Sequence, residues 1–298
     1  MEKERRATAQ QASHPPPHLS PALPTKHDAV PSRFEEPAQV VGYLSAVPDA
    51  LLRTLGWRSL LIHGDPCVLD RWLWLRRALR KGDYRTFDAG CGNGAFSIYA
   101  AREGNEVVAA SFSPREQEDA RRRAGIAGVN GIDFRTLDLR EIETHRPSLG
   151  SFDQIICFET IEHVTDDRGL VRSLASMLRP GGSLLLTAPF DGHRPLYTED
   201  ADPSPVEDGS HVRYGYSQQR LRELVRDAGL QVAGEGFVSG VVSQKLTNLM
   251  RRLSERFGVP LAWALMLPLR PLVLLDEPLT RLLRYPRLSV ALRAIRHE

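Results

Sequence analysis

The sequence predicts an α/β fold: a doubly wound, Rossmann-like and mostly parallel sheet with a helical N-terminal cap and a helical C-terminal extension. After residue 84, short apolar runs alternate with amphipathic stretches, which is the pattern of βαβ units in a parallel sheet. A chain of 298 residues, 42% of them hydrophobic, is long enough to bury one large core and a small accessory layer. A glycine-rich turn follows the first apolar run, where folds of this class hold a ligand.

Four segments are predicted along the chain: a disordered tail over 1–32, a helical cap over 33–82, the α/β domain over 83–241 and an apolar, basic helical extension over 242–298. The tail is rich in proline and has too little apolar surface to offset the entropy of ordering it. The cap carries apolar residues at helical spacing and three tryptophans, Trp57, Trp72 and Trp74.

Five strands and four helices are predicted within the α/β domain. Ser113 and Pro114 suit the N-cap and first turn of a helix, and the Arg-Pro-Gly-Gly sequence at 179–182 ends a helix and turns into a strand. The polar loop 193–216 is long for a compact domain, which favours a functional role. The predicted strands are 85–88, 106–110, 132–136, 154–158 and 183–187, and the predicted helices are 95–102, 114–124, 167–178 and 217–228.

The extension combines apolar residues with positive charge. Residues 259–275 are strongly apolar but contain three prolines and an arginine, so they make a poor spanning helix. From 242 to 298 there are 10 Lys/Arg residues against 4 Asp/Glu residues. This pattern favours a packed or dimer-forming subdomain with a solvated basic face, and the alternative is peripheral contact with a membrane.

Composition excludes several classes of protein. The formal net charge is only +2, from 39 basic and 37 acidic residues, so no strong overall field attracts nucleic acid. The three cysteines, Cys67, Cys91 and Cys157, are too far apart for a disulfide framework or a thiolate zinc site, which fits a reducing compartment. No apolar segment follows the basic first residues, so no secretory signal is visible. We expect a cytoplasmic protein that does not bind nucleic acid.

The sharpest motif is Asp-Ala-Gly-Cys-Gly-Asn-Gly at 88–94, between the first strand and the first helix. Glycines at 90, 92 and 94 allow a tight turn and the close approach of a ligand to the backbone. The spacing is GxGxG and not the GxGxxG of dinucleotide enzymes. Asp88 would repel a pyrophosphate but suits a cationic amino-acid moiety. Alternatively, Asp88 only caps the turn.

This motif resembles motif I of class I S-adenosylmethionine-dependent methyltransferases, and the resemblance continues in order to about Leu230. Asp138 in Leu-Asp-Leu matches the position that faces the adenine amino group, and residues 152–158 and 178–184 match the fourth strand and the turn into the fifth. The resemblance implies S-adenosylmethionine as cofactor. The residues that it assigns to the cofactor are Asp88, Gly90, Cys91, Gly92, Gly94, Ser111, Glu116, Asp138, Leu139 and Glu159.

One position departs from the family pattern. The second strand usually ends in an acidic residue that holds the ribose hydroxyls, but Ser111 stands here. The stretch is similar to the variant of cyclopropane fatty-acid synthases, in which a hydroxyl residue and a side chain from the next helix share this role. The resemblance implies that Ser111 and Glu116 contact the ribose together. Alternatively, Glu116 is an ordinary first-turn glutamate favoured by the helix dipole.

Metal-ligating side chains follow the fourth strand in the sequence Glu159-Thr-Ile-Glu162-His163. On a helical turn these three side chains share one face, and His211 follows the neighbouring fifth strand. Together they predict a site for a divalent cation, Mg²⁺ or Mn²⁺, with Zn²⁺ as the competitor. The element resembles that of metal-dependent O-methyltransferases of ubiquinone synthesis and of small-RNA 3′ ends. Alternatively, the carboxylates cap backbone amides and His163 packs on the sheet.

We therefore expect methyl transfer to a hydroxyl of a small or lipid-linked metabolite, with Glu159, Glu162 and His163 as catalytic residues. A bound cation would lower the pKa of that hydroxyl. Without a cation, His163 is the best general base. The alternatives are a metal-independent methyltransferase that acts on carbon or nitrogen, and a protein that binds S-adenosylmethionine without catalysis.

Overall fold

The computed structural model describes residues 49–63, 65–194, 196, 203–207 and 209–297. The predicted disordered tail, 1–32, and the first part of the predicted cap lie outside these residues. In the described part of the chain, the positions of the functional side chains are determined by the cap, the sheet and the C-terminal helices together.

A seven-stranded sheet in the order β3-β2-β1-β4-β5-β7-β6 forms the centre of the described chain. Strands β1 to β5 run parallel to one another, and β7 runs antiparallel to both β5 and β6. The predicted doubly wound, mostly parallel fold is confirmed, with all five predicted strands. The strands are β1 Arg85–Ala89, β2 Glu106–Ser111, β3 Ile132–Thr136, β4 Phe152–Phe158, β5 Leu178–Pro189, β6 Leu230–Val238 and β7 Ser289–Arg296.

Helices cover both faces of the sheet, and each face has its own apolar core. One core lies around Phe87, Phe152 and Leu292, and the other around Ile98, Tyr99 and Leu185. The helices are α1 Asp49–Leu55, α2 Arg58–His63, α3 Pro66–Ala78, α4 Ala95–Arg102, α5 Pro114–Ile126, α6 Ile142–Leu149, α7 Asp167–Met177, α8 Gln218–Asp227, α9 Val241–Phe257, α10 Val259–Met266 and α11 Asp276–Leu283.

Side-chain caps define where several helices begin. Ser113 accepts a hydrogen bond from the backbone N–H of Glu116 and precedes Pro114, so α5 begins as its sequence predicts. Asp166 and Ser217 cap α7 and α8 in the same way. These caps set the orientation of the helices that follow β2, β4 and β5. The loops that carry functional residues therefore have defined starting points.

The described part of the cap consists of α1, α2 and α3, which pack on α4 through aromatic side chains. Trp57 and Trp72 both contact the ring of Tyr99, at centroid distances of 5.6 and 5.7 Å. Such contacts stabilise more than their buried area alone. The predicted helical cap is thus confirmed over these residues. It covers the face of the sheet on which the glycine turn lies.

The C-terminal segment is helical as predicted, but its last part returns to the sheet. Ser289–Arg296 forms β7 between β5 and β6, so the helical range predicted as 242–298 is too long. Val290, Leu292 and Ala294 on one face and Ala291 on the other are fully buried, as expected for a strand covered on both faces. Such a strand lacks the alternation of polar and apolar residues that identifies a half-buried strand in a sequence.

Candidate active site

The candidate site lies at the carboxyl ends of β1, β2, β4 and β5, where parallel sheets of this type bind ligands. The glycine turn begins there with positive φ angles of 89°, 47° and 80° at Gly90, Gly92 and Gly94. A Cβ atom at Gly90 would lie 2.3 Å from Oγ1 of Thr160. Glycine is therefore required at position 90 because the turn after β1 packs directly on the turn after β4.

Gly92 differs from its neighbours because the space beside it is open. A Cβ atom there would have one neighbour within 4 Å, Oε1 of Glu116 at 3.9 Å. Cys91 points away, with its buried thiol accepting a hydrogen bond from Gln117 at 3.1 Å. Among the described residues, only Glu116 therefore borders the space beside Gly92. This is the approach to the backbone that the glycine spacing predicts.

Asp88 is buried at the end of β1, and its carboxylate accepts a 2.5 Å hydrogen bond from the hydroxyl of Ser97 on α4. Burial raises the pKa of Asp88 from 3.8 to about 7. The hydrogen bond from Ser97 opposes this shift. In this geometry the carboxylate links β1 to α4. Its predicted contact with the cofactor stays a prediction.

Ser111 and Glu116 are brought together as predicted. The hydroxyl of Ser111 donates a 2.7 Å hydrogen bond to Oε2 of Glu116. The hydroxyl of Ser113 accepts a hydrogen bond from the backbone N–H of Glu116 and so holds the first turn of α5 close to Ser111. A hydroxyl and a carboxylate on the wall opposite the glycine turn are a suitable pair for two neighbouring hydroxyl groups of a ligand.

Asp138 lies after β3 at the same edge of the sheet, where it caps a 3₁₀ turn over Leu139–Glu141. Its carboxylate accepts from the backbone N–H of Arg140 at 2.9 Å and pairs with the guanidinium of the same residue. Burial raises the pKa of Asp138, but the hydrogen bonds and charge of Arg140 outweigh it and hold the pKa below 3.8. Leu139 is buried in the core. A contact between Asp138 and an adenine amino group would share the carboxylate with Arg140.

The turn after β4 is not the helical turn that the sequence predicts. Glu159 has a left-handed φ of 48°, and the 3₁₀ turn covers only Ile161–His163. Thr160 fixes this geometry because its hydroxyl donates to the backbone carbonyls of Phe158 and Ala89, at 3.0 and 3.3 Å. The prediction that Glu159, Glu162 and His163 share one helical face is wrong.

Glu162, His163 and His211 converge on one point. Their candidate ligand atoms all lie within 4.8 Å of one another. The rings of His163 and His211 are 4.7 Å apart between centroids, and Nε2 of His163 lies 4.0 Å from Oε1 of Glu162. Three of the four predicted metal ligands are therefore together. Glu159 is not among them.

The segment that carries His211 is fastened to the turn after β4. The backbone N–H of Val212 donates to the carbonyl of Glu162 at 2.9 Å. Arg213 donates to the carbonyl of Ile161 at 3.2 Å and forms an ion pair with Asp167 at 3.0 Å. The described part of the predicted functional loop 193–216 thus brings His211 to the site.

Burial controls the charge of this cluster. Glu162 is fully buried, and neither of its carboxylate oxygens has a hydrogen-bond partner in the part of the chain that is described. Burial, with the nearby charge of Glu159, holds the pKa of Glu162 well above its usual range. Burial lowers the pKa of His163 and, helped by the charge of His163, lowers that of His211 to about 4. The two imidazoles are therefore neutral near pH 7, which is the form that binds a metal or accepts a proton.

Glu159 instead forms an ion pair with Arg71 of α3, with 3.0 Å between Nη2 and Oε2. Ser289, the first residue of β7, donates to the same oxygen at 3.0 Å. Neither partner was found by reasoning from the sequence. Arg71 lies between apolar and tryptophan residues of a cap helix, and no spacing connects it to Glu159, which is 88 positions further along the chain.

Aromatic rings border the cluster on the cap side. Trp74 of α3 and Phe96 of α4 both contact the ring of Phe158, at centroid distances of 5.6 and 5.1 Å. Phe158 immediately precedes Glu159, so these rings and the charged cluster share one end of β4. An acceptor with an apolar or aromatic body could pack against such rings.

Comparison with known proteins connects this geometry to an enzyme class. The family described as a methyltransferase domain matches residues 61–234, more than half of the chain. The ubiquinone biosynthesis O-methyltransferase of Xanthomonas euvesicatoria pv. vesicatoria (strain 85-10) is 38% identical over 180 residues, which are 59% of this chain and 72% of that protein. The enzyme of the same name from Xanthomonas axonopodis pv. citri (strain 306) is 37% identical with the same coverage.

Solved structures share the fold at low sequence identity. The N-methyltransferase NodS of Bradyrhizobium japonicum WM9, in complex with S-adenosyl-L-homocysteine, has a TM-score of 0.52 and 16% identity, covering 86% of this chain and 95% of that chain. The cyclase SpnF has a TM-score of 0.53 and 20% identity, covering 77% of this chain and 82% of that chain. Because a cyclase has this fold too, the fold alone does not determine the reaction.

The family match, together with the sheet order and the glycine turn at its carboxyl edge, identifies a class I S-adenosylmethionine-dependent methyltransferase. The chain belongs to the methyltransferase domain family, and its sequence is similar to ubiquinone biosynthesis O-methyltransferases. The predicted resemblance is therefore confirmed. The family implies S-adenosylmethionine as the cofactor but does not identify the acceptor.

Proposed function

We propose that this enzyme transfers the methyl group of S-adenosylmethionine to a hydroxyl oxygen of a small or lipid-linked metabolite, assisted by a divalent cation. The cation would be held by Glu162, His163 and His211. The relatives named as O-methyltransferases support the choice of oxygen as acceptor. The metal part of the proposal depends on the geometry of this chain.

One observation carries the metal proposal: the carboxylate of Glu162 is fully buried, has no hydrogen-bond partner among the described residues and faces two neutral imidazoles. The charges of Arg71 and Arg213 offset the effect of burial on its pKa only in part. A cation would remove the remaining cost of ionising this buried carboxyl. One oxygen and two nitrogen donors suit Mn²⁺ or Zn²⁺ better than Mg²⁺, since imidazole is a poor ligand for Mg²⁺. The exclusion of Glu159 from the cluster removes a carboxylate that Mg²⁺ would favour and leaves Mn²⁺ and Zn²⁺ as the cations to test.

The chain supplies the remaining requirements of methyl transfer. The glycine turn, Ser111 and Glu116 would hold the cofactor so that its methyl group faces the turn after β4. A divalent cation would lower the pKa of the acceptor hydroxyl. The proton must leave as the O–CH₃ bond forms and the S–CH₃ bond breaks. With the cation bound, the hydroxyl would already be acidic enough to lose its proton to water, and without a cation the neutral imidazole of His163 would accept it. Arg71 forms an ion pair with Glu159 and so neutralises its charge in the turn after β4.

The test is a screen of hydroxyl acceptors with radiolabelled S-adenosylmethionine, before and after removal of metal with EDTA. We expect chelation to abolish turnover and to leave cofactor affinity nearly unchanged, because the cation holds the acceptor and not the cofactor. Addition of Mn²⁺ should restore activity. His211→Ala should weaken Mn²⁺ affinity at least about tenfold, as loss of a ligand does.

His193→Ala is a matched control for that variant. His193 belongs to the same loop, but its ring stacks on Tyr214 at 4.5 Å instead of facing Glu162. We expect this variant to keep its affinity for Mn²⁺. Full activity of the chelated, metal-free enzyme would contradict the metal site.

The second candidate is transfer without a metal, with His163 as the general base. The observation that favours it is the partly buried imidazole of His163 in the turn after β4, whose pKa burial lowers so that the ring is neutral and can accept a proton. In that case His163→Ala should lower turnover in the presence of EDTA. Tight cofactor binding without turnover of any acceptor would instead favour a protein that binds S-adenosylmethionine without catalysis.

A further inference from the structure

The C-terminal helices carry many exposed apolar side chains on one continuous segment. By length and composition, Val259–Leu283 could cross a membrane, and only 28% of its most apolar window is buried. Monomeric soluble proteins rarely expose apolar side chains in such density. The surface, which we call the leucine face, consists of Leu261, Leu265, Leu267, Leu272, Leu274, Leu275, Leu282 and Leu283, all of them between 39% and 77% exposed.

The opposite side of the same segment packs on the protein. Its buried residues recur every three or four positions, as on one side of a helix. Two of its three charged or polar residues are bonded to the start of α9: Asp276 accepts hydrogen bonds from the backbone N–H groups of Val242 and Ser243, and Thr280 accepts from that of Val241. The buried residues are Ala262, Met266, Arg270, Val273, Asp276 and Thr280.

This packing decides between a spanning and an interfacial orientation. A spanning segment would have to detach Asp276 from the start of α9 and carry it, with Arg270, into hydrocarbon, which is costly. A segment that lies flat keeps these contacts and presents only the leucine face outward. The geometry is that of an interfacial element, with one side on the domain and the other side apolar.

Unpaired positive charges flank the leucine face at both ends of the segment. Arg252 and Arg256 lie on α9 just before it, and Arg284 directly follows Leu283. All three are exposed, and no described acidic side chain pairs with them. Exposed cations beside apolar side chains are complementary to a bilayer that contains anionic lipid.

A second group of cations lies near the C-terminal end of the segment. Arg194, on the loop after β5, and Lys245 of α9 both contact the ring of Tyr285, at 5.2 and 5.4 Å. Two cations on one ring repel each other unless an anion is near. Tyr285 comes two residues after the leucine face, so an anionic headgroup at this surface would reach both cations.

We propose that the leucine face docks on an anionic phospholipid bilayer, with the leucines in the acyl boundary and the flanking arginines at the headgroups. The proposal stands independently of the metal and of the acceptor. It would also place the site near the membrane, because α9 is bonded to the cap helix that carries Arg71. Ser243 and Thr247 of α9 donate hydrogen bonds to Asp70 and Asp65.

The test is flotation of the full chain with vesicles of phosphatidylcholine, with and without phosphatidylglycerol. We expect binding to the anionic vesicles, weakened by salt. The triple variant Leu274→Gln, Leu282→Gln, Leu283→Gln should bind at least about 100-fold more weakly, because each leucine that leaves an apolar phase loses about tenfold. Arg284→Glu should remove part of the salt-dependent binding.

Helix α1 offers matched controls, since Leu55 is 50% exposed and Arg53 is exposed without an ion pair among the described residues. Leu55→Gln and Arg53→Glu should bind vesicles like the unmodified chain. Equal binding by the triple variant, or no binding by the unmodified chain, would overturn the proposal. So would a dimer in solution that the triple variant dissociates, or resistance to extraction by alkaline carbonate, which would indicate a spanning segment.

Discussion

Glu162 is buried, its carboxylate has no hydrogen-bond partner among the residues that the structure describes, and yet it lies where chemistry is expected. Such side chains lower the stability of a fold and persist where function requires them. The carboxylate of Asp88 is buried as well, but Ser97 donates a hydrogen bond to it. The proposed cation would supply to Glu162 the partner that Ser97 supplies to Asp88.

Glu162→Gln tests this interpretation with a neutral side chain of nearly the same shape. Without metal we expect the variant to be more stable than the unmodified chain at pH 8, by about 1 kcal/mol or more, because a buried ionisable group is removed. With Mn²⁺ the order should reverse, since only the unmodified chain gains stability from binding. Thermal unfolding with and without Mn²⁺ measures the stability of the variant and of the unmodified chain. A variant that Mn²⁺ stabilises as strongly as the unmodified chain would show that Glu162 is not a ligand.

Gly92→Ala tests the cofactor cleft. A methyl group there costs about 1 kcal/mol of backbone strain at a positive φ and occupies the open space between the turn and Glu116. We expect affinity for S-adenosylmethionine to fall at least about tenfold, the equivalent of about 1.4 kcal/mol. Calorimetric titration measures the affinity.

Gly128→Ala is the control for the strain alone. Gly128 has a φ of 66° and no atom within 4 Å of a Cβ, and it lies beyond the end of α5. Both variants should lose similar stability, and only Gly92→Ala should lose cofactor affinity. Equal affinities in the two variants would mean that the cofactor does not approach Gly92.

Local signals in the sequence predicted the elements well and the contacts between distant elements poorly. The N-cap at Ser113, the glycine turn and the five parallel strands depend on neighbouring residues, so they could be predicted. The pair of Ser111 and Glu116, five positions apart, was expected from the resemblance of this stretch to cyclopropane fatty-acid synthases. The ion pair between Arg71 and Glu159 depends on how the cap packs over β4, and no local pattern contains that information.

The joint between the cap helix α3 and the C-terminal helix α9 contains a titratable carboxyl. Burial, and the nearby charge of Asp276, raise the pKa of Asp70 from 3.8 to about 7. The hydrogen bond from Ser243 of α9 opposes this shift. The protonated carboxyl is thus the form that fits between the two helices at mildly acidic pH.

Asp70→Asn should therefore change how stability depends on pH. A carboxyl whose folded-state pKa is raised contributes stability that is fully present below about 3.8 and is lost as the pH rises through about 7. Between these values the unmodified chain should lose about 1 kcal/mol per pH unit through this group, and the asparagine variant should not. Urea unfolding from pH 5 to pH 8 measures the difference between the two chains. Parallel curves for both chains would show that Asp70 is already ionised in the folded state.

At the level of the whole molecule, β7 connects the catalytic sheet with the C-terminal helices. It is paired along its length with β5 on one side and β6 on the other, and β6 has no other neighbour. Its first residue, Ser289, also donates to Glu159. Because α9, α10 and α11 lie between β6 and β7, the sheet holds both ends of the leucine face. One strand thus fixes the position of the site relative to that surface.

Removal of residues 289–298 should abolish cooperative folding. The truncation exposes the edges of β5 and β6 and deletes the fully buried side chains of Val290, Leu292 and Ala294, which together contribute several kcal/mol, about the whole stability of a typical domain. Removal of residues 297–298 alone is the control and should leave unfolding unchanged, because both follow the last residue of β7. Circular dichroism during heating distinguishes the two chains. A sharp transition in the longer truncation, within a few degrees of the full chain, would show that β5 and β6 can pair or fold without β7, and that the leucine face is held by the helices alone.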